Sequence, residues 1–242
     1  MPRYKIFIEY DGSSYCGWQK QPNGNTVEEE IEKALSQVLR QPVDIAGQGR
    51  TDSGVHAEGQ TAHFDFPEKL DSYQILSAFL GILPHDISVW KIEEVPADFH
   101  ARFHAKWRRY RYQIVMRPKP LLRSTSEMIL GDLDLDEMQK CAERINGTHH
   151  FDSFTKPDNE TLNSVCEVKR SEFSQNNGLL IYHIEANRFV RHMVRRLVGT
   201  MIQVGKGKRT FEEFTDMLHK PDKNKNAHGA AAKGLILEEV IY

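Results

Sequence analysis

A chain of 242 residues, 39% hydrophobic and 27% charged, carries enough apolar material for one large domain or two small ones. No window approaches the roughly 18 uninterrupted apolar residues of a membrane span, and the N-terminal MPRYKIFIEYDG lacks the apolar block of a signal peptide. Three scattered cysteines (Cys16, Cys141, Cys166) with no CxxC pair exclude a disulfide scaffold or zinc site of the usual spacing and predict free thiols in a reducing, cytoplasmic setting.

Arg3 to Tyr10 alternates, with Tyr4, Ile6, Ile8 and Tyr10 on one face, and stops at Asp11-Gly12, which predicts a strand and a turn. Thr26 followed by Glu29 reads as a capping box, and Val27, Ile31, Leu35, Val38 and Leu39 follow at helical spacing. Pro42 to Ala46 reads as a short strand, and Gly59 to Phe66 as another, with Ala62, Phe64 and Phe66 alternating. Ser72 to Leu80 reads as a helix and Ile87 to Val95 as extended. The order is β-α-β-β-α-β, the ferredoxin-like pattern.

The second half repeats a similar order. Lys106 to Arg117 predicts a long strand. Asp136 is taken as the cap of a helix burying Met138, Cys141, Ala142 and Ile145. Leu162 to Phe173 and Leu179 to Asn187 flank an Asn176-Asn177-Gly178 turn. Helices are expected over Phe189 to Val204 and Thr210 to Leu218, a polar mobile loop over 220–233, and a final strand from Gly234 to Tyr242. The expectation is an α+β protein of two ferredoxin-like (βαββαβ-type) halves, residues 1–104 and 105–242. Their antiparallel sheets lie side by side, with a positively charged cleft between them.

The net charge of −2 by itself speaks against a nucleic-acid binder, but its distribution speaks for one. From His100 to Arg123 there are eight Arg and Lys and no acid, interleaved with Phe103, Trp107, Tyr110 and Tyr112. From Ala186 to Thr210 there are seven Arg and Lys, again without an acid. Two such segments suit an RNA-facing surface.

Residues 47–65, GQGRTDSGVHAEGQTAHFD, concentrate glycines, acids and histidines between two strands. A P-loop needs Lys and Ser/Thr where Val55 and His56 stand, and a dinucleotide fingerprint needs a third glycine that is absent. The DLDLDE run at 132–137 has Glu137 where a calcium loop needs Gly, and the His100–His104 pair lacks a third ligand nearby. His56, His63, His149 and His150 read as structural. What remains is Arg50-Thr51-Asp52. An aspartate in a glycine-rich loop is most often a turn-maker, but a neighbouring guanidinium would hold it ionised, as a nucleophile or base requires. The flanking Gly47, Gly49 and Gly54 would let the backbone approach a bulky ligand.

GRTDSGVHA at 49–57 resembles the signature of the tRNA pseudouridine synthase A family. The likeness extends to YDGSSYCGWQKQ (10–21), FHARFHAKWRRYRYQI (99–114), NRFVRHMVRRLVGTMIQVGKG (187–207) and KGLILEEVIY (233–242). The resemblance implies a cofactor-free, metal-free isomerase that converts uridine to pseudouridine at positions 38, 39 or 40 of the tRNA anticodon stem-loop, acting as a homodimer. It makes Asp52 the catalytic residue, Arg50 its ion-pair partner, Arg195 a second active-site arginine and Tyr110 the tyrosine that packs on the target base. Arg108, Arg109, Arg111, Arg188, Arg191, Lys206, Lys208 and Arg209 are the candidates for phosphate contacts. The reading of the residues alone keeps a non-catalytic ferredoxin-like RNA-binding protein as the alternative. A metal-free nuclease or glycosidase is less favoured, since only Glu58 and Asp65 lie near Asp52 in sequence as a second carboxyl group.

Overall fold

A computed structural model describes residues 1–156, 163–222 and 227–242. Backbone contacts divide it into two compact units, Met1–Lys106 together with Ile236–Tyr242, and Trp107–Leu235. The division falls two residues beyond the boundary expected from the sequence. The last strand joins the first unit rather than the second.

In the first unit β1 (Arg3–Tyr10) is the central strand, with α1 (Val27–Leu39), β2 (Ala46–Gly47), β3 (His56–Asp65), α2 (Ser72–Ile82) and β4 (Ile87–Val95) following. β1 pairs antiparallel with both β3 and β4, so that Ile6 lies opposite Ala62 on one side and Ile92 on the other. The expected alternation holds: Tyr4, Ile6, Ile8 and Tyr10 are all buried, and Ile31, Leu35 and Phe79 are buried with them. The strand expected over 42–46 is shorter and later, a two-residue pairing of Ala46–Gly47 with β3.

Thr26 does not form the expected capping box. Its Oγ1 is buried without a hydrogen-bond partner. The first amides of α1 are taken by backbone carbonyls, Val27 N donating to Gly17 O at 3.3 Å and Glu28 N to Trp18 O at 3.0 Å. A side-chain cap is redundant where the chain itself supplies the acceptors. The second threonine of this type behaves as the pattern dictates. Thr210 Oγ1 accepts from Glu213 N at 3.1 Å and Thr210 N donates to Glu213 Oε2 at 2.8 Å.

The second unit contains β5 (Trp107–Val115), β6 (Glu127–Met128), α3 (Leu135–Arg144), β7 (Gly147–His150), β8 (Val165–Asn176), β9 (Leu179–Ala186), α4 (Met193–Gly205) and α5 (Phe211–His219). Its sheet runs β5-β9-β8-β7 with antiparallel neighbours, and β6 lies parallel alongside β5. The β8–β9 hairpin turns at Asn177 (φ 48°) and Gly178 (φ 69°), two left-handed residues as a tight hairpin requires. Asp134, not Asp136, caps α3, accepting from Glu137 N at 3.0 Å. The helix expected from Phe189 begins only at Met193, because His192 has φ 65° and breaks the register. Of the loop expected over 220–233, residues 223–226 lie outside the described set. Ala232–Gly234 forms a short 3-10 turn.

The tenth strand, β10 (Leu235–Ile241), pairs parallel with β3 in the first unit, Ile236 opposite His56 and Leu237 opposite Ala57. Tyr242 after it is fastened there too. Its hydroxyl bonds Thr61 Oγ1 at 2.5 Å and donates to Ala101 O at 2.9 Å, and its ring sits 3.9 Å under Lys5 Nζ.

Cys141 and Cys166 are buried in the second unit, where burial pushes their thiols up to about 12 and about 11, while Cys16 is exposed. His63 on β3 is buried, with Nδ1 3.2 Å from both Ala46 O and Ala101 N. Burial, and then the neighbouring His100 and Arg3, hold its pKa below the ordinary value. His100 is lowered as well, by burial and by Arg3. Below pH about 6.5 the unfolded chain therefore binds protons that the native state refuses. Stability is full above that pH and falls as the pH drops through it. Urea denaturation at pH 5.5 against pH 7.5 measures the loss, and His63→Gln should flatten it.

Candidate active site

The turn that carries Asp52 is built by two segments far apart in sequence. Asp52 O accepts from Val55 N at 3.1 Å, and Gly54 takes φ 76°, closing the turn. Thr51, buried just before it, bonds Tyr10 Oη through Oγ1 at 2.8 Å, and its carbonyl accepts from Trp18 N at 3.2 Å. Ser53 Oγ donates to Tyr15 O at 3.1 Å. The backbone of the YDGSSYCGW segment lies directly against this turn. A Cβ on Gly17 (φ 99°) would stand 2.6 Å from Thr51 O and 3.2 Å from the Asp52 carbonyl carbon. A Cβ on Gly12 would stand 2.0 Å from Val55 O. The same segment caps α1, so one stretch of backbone fixes both the helix and the aspartate turn.

The far side of the turn is anchored through His56. Its Nδ1 lies 3.1 Å from Gly12 N, which donates to it, and 3.0 Å from Asp11 Oδ1. Burial pushes the Asp11 carboxyl up, but bonds from Ser13 and the nearby His56 outweigh it and leave the group below its usual range. Asp52 itself is half-buried. Gly47, expected to give a ligand room, instead gives room to protein: a Cβ there would stand 2.5 Å from Trp18 Nε1.

Arg50 is exposed, and its Nε donates to Gln19 Oε1 at 2.9 Å. Gln19 passes the contact on, its amide donating to Glu28 Oε2 at 2.9 Å, where Lys20 N also donates at 2.8 Å. Burial pushes the Glu28 carboxyl up, against the pull of the Lys20 amide and the Arg50 charge. Sequence reasoning gave no site role to Gln19, Thr51, Tyr10 or Glu28. Gln19, Thr51 and Tyr10 stood inside quoted motifs, but only the tertiary contact gives them work.

Tyr110 and Arg195 belong to the second unit. Tyr110 is buried on β5 with its ring edge-on to Phe189, centroids 5.0 Å apart at 82°. Strand alternation puts Arg108 on the face of Tyr110, and Trp107, Arg109 and Arg111 on the opposite face. Arg108 Nη1 donates to Asn187 O at 2.6 Å. Arg109 Nε donates to Glu185 Oε2 at 2.6 Å, and Lys169 Nζ lies 3.5 Å from the other oxygen of that buried carboxylate. Burial pushes Glu185 up, but Arg109 and Lys169 outweigh it and hold the carboxyl below the ordinary range.

Arg188 and Arg191 are exposed in the segment before α4. Arg195 is half-buried in the first turn of α4, its Nε donating to Ala230 O at 2.9 Å. Lys206, Lys208 and Arg209 follow the end of that helix, about 16 Å along its axis from Arg195. Lys206 and Lys208 are exposed, and Arg209 is half-buried with Nη1 3.1 Å from Met217 Sδ. The eight basic residues grouped from the sequence thus occupy both faces of one strand and both ends of one helix. Among the described residues there is no group of three His, Cys, Asp or Glu side chains disposed to hold a metal ion, and no helix long and apolar enough to cross a membrane.

Comparison with known proteins covers the whole length of the chain. The chain matches the family described as tRNA pseudouridine synthase over residues 6–104 and 141–242. A protein named tRNA pseudouridine synthase A from Bacteroides thetaiotaomicron is 38% identical over 100% of this chain and 91% of its own length. One of the same name from Chlorobium phaeovibrioides is 39% identical over the full length of both. Among solved structures, a chain of a Cbf5-Nop10-Gar1 complex aligns with 97% of this chain and 48% of its own, at TM-score 0.41 and 10% identity, a likeness too weak to argue from. The matched spans contain the segments that clamp and carry the Asp52 turn, and also Arg195 with its helix. The chain belongs to the tRNA pseudouridine synthase family, enzymes that isomerise uridine in tRNA.

Proposed function

We propose that this chain converts uridine to pseudouridine at positions 38, 39 or 40 of the tRNA anticodon stem-loop, with Asp52 as the catalytic carboxylate. The observation that carries the reading is the double clamp on the Asp52 turn, with Gly17 pressed against its entry and Gly12 against its exit. So closely packed a turn supports the reading, because a catalytic carboxylate needs a preorganised backbone.

The reaction breaks the bond from C1′ to N1, turns the uracil and joins C1′ to C5. The proton that leaves C5 is balanced by the one N1 takes up, so nothing is oxidised and no donor group is consumed. Positive charge builds on the sugar as the first bond breaks, and the Asp52 carboxylate stabilises it, captures it, adds instead to C6 of the ring, or removes a sugar proton to give a glycal. Arg50 and Arg195 support that carboxylate, and Tyr110 holds the detached base by its ring face. The target base must be flipped from its stack at a cost of a few kcal/mol. Contacts to phosphates from Arg108, Arg188 and Arg191, joined by Arg109, Arg111, Lys206, Lys208 and Arg209, would offset it.

A homodimer in the cytoplasm, and two ferredoxin-like halves, complete the reading that the family resemblance suggests. The β4-β1-β3 order of the first sheet, with β2 on the far side of β3, supports the fold part of it. The test is to incubate the protein with an undermodified tRNA pool and map pseudouridine by position. New pseudouridine at 38–40 is expected. New pseudouridine elsewhere refutes the site, and free uracil or cut strands refute isomerisation.

A further inference from the structure

Arg195 is gripped twice by one residue. Its Nε donates to Ala230 O at 2.9 Å, and its own carbonyl accepts from Ala230 N at 2.9 Å. Gly199, one turn further along α4, permits this approach: a Cβ there would stand 2.2 Å from His228 O and 2.8 Å from Ala230 N.

The next residue is tied to a different element. Ala231 N donates to Glu127 Oε2 at 3.2 Å. The one proton of the Tyr112 hydroxyl is shared between Glu127 Oε2 at 2.5 Å and Ala231 O at 2.7 Å. Tyr112 is fully buried, with its ring filling the space that a Cβ on Gly234 would need. Burial and the adjacent Glu127 raise the pKa of the phenol, and the charge of Arg195 opposes them.

Ala230 O and Ala231 N belong to one peptide group, which is planar and stiff. Glu127 therefore holds one end of the plate whose other end is bonded to Arg195 Nε. A carboxylate on the N–H also polarises the C=O, strengthening its bond to the guanidinium. Phenylalanine would fill the core at 112 without burying a hydroxyl, so the hydroxyl has a task beyond packing.

We propose that Glu127 and Tyr112 are positioning residues that set the orientation of the Arg195 guanidinium through the Ala230–Ala231 peptide. The inference rests on Arg195 being an active-site arginine, and its test separates the two. The direct measurement is hydrogen exchange of the Arg195 Nε–H by NMR in the wild type, Glu127→Gln and Tyr112→Phe. Exchange should be slow in the wild type and faster in both variants. Equal exchange in all three overturns the proposal whatever the activity.

The second measurement is single-turnover rate and tRNA affinity, with and without Arg195→Lys. Each positioning variant should lose roughly 10–100-fold in rate, as the outer partners of a functional group do, with affinity and melting temperature unchanged. Neither should lose more in the Arg195→Lys background. Losses that multiply with Arg195→Lys, or that follow a lowered melting temperature, overturn the proposal. If Arg195→Lys is fully active while exchange responds as expected, the active-site reading of Arg195 fails and the positioning stands. Should one variant fail to fold, the other decides.

Discussion

Asp52→Ala is expected to abolish pseudouridine formation, by on the order of 10⁴-fold or more, while leaving tRNA affinity within a few-fold of the wild type. The loss is large because the carboxylate would act as one unit with its supporting groups, and removing the central member of such a unit removes nearly the whole effect. Affinity survives because it would come from phosphate contacts on other residues. Asp52→Asn sharpens the result. It keeps the side chain's size on a turn already fixed by Val55 N and Thr51, and removes only the charge. Single-turnover assays beside filter binding at fixed salt measure both quantities. An Asp52→Asn protein that still turns over near the wild-type rate would falsify the role assigned to this carboxylate. A wild-type protein that binds tRNA and modifies nothing would favour the non-catalytic RNA-binding alternative.

Gly17→Ala should be the second most damaging single change, although Gly17 lies outside the aspartate motif. The new methyl group would stand 2.6 Å from Thr51 O on a residue at φ 99°. Strain of this kind costs about 1–3 kcal/mol, which in a chain of this size lowers the melting temperature by several degrees. The neighbour that must yield is backbone, so the turn itself moves. A displacement near 1 Å at a catalytic group costs about 10²-fold in rate. Gly49→Ala is the control. It sits inside the GRTD motif, yet nothing lies within 4 Å of the position its Cβ would take, and melting should stay within about 2 °C of the wild type. Calorimetry on both variants, with rates at a temperature where both are folded, tests the contrast. Equal effects would show that the clamp does not place Asp52.

The elements read most faithfully from the sequence are those whose signal is local. Alternation in Arg3–Tyr10 and in the YRY strand, and the Asn177-Gly178 turn, need no knowledge of distant residues. Thr26 and Thr210 show where local signals stop. Both open the same T-x-x-E pattern, but only Thr210 forms the box, because carbonyls of Gly17 and Trp18 reach the helix near Thr26 first. His192 is another case, a single left-handed residue that delays α4 and leaves Phe189 to pack on Tyr110. At the candidate site the Asp52 motif was visible because its residues are contiguous. Gln19 under Arg50, and Glu127 under Ala231, were not, because each contact joins residues from separate segments. The period of the strand, available from the start, divides Arg108 from Arg109 and Arg111 between two faces.

The return of β10 to β3 has a consequence for biosynthesis. The first unit is split by the whole of Trp107–Leu235, so its parallel strand leaves the ribosome only after every residue of the second unit. At roughly 5–20 residues per second this delay is on the order of ten seconds. Through that interval the nascent first unit has an unpaired edge at His56 and Ala57, next to the Asp52 turn. The second unit can fold while the first waits, and the free edge of β3 is covered last.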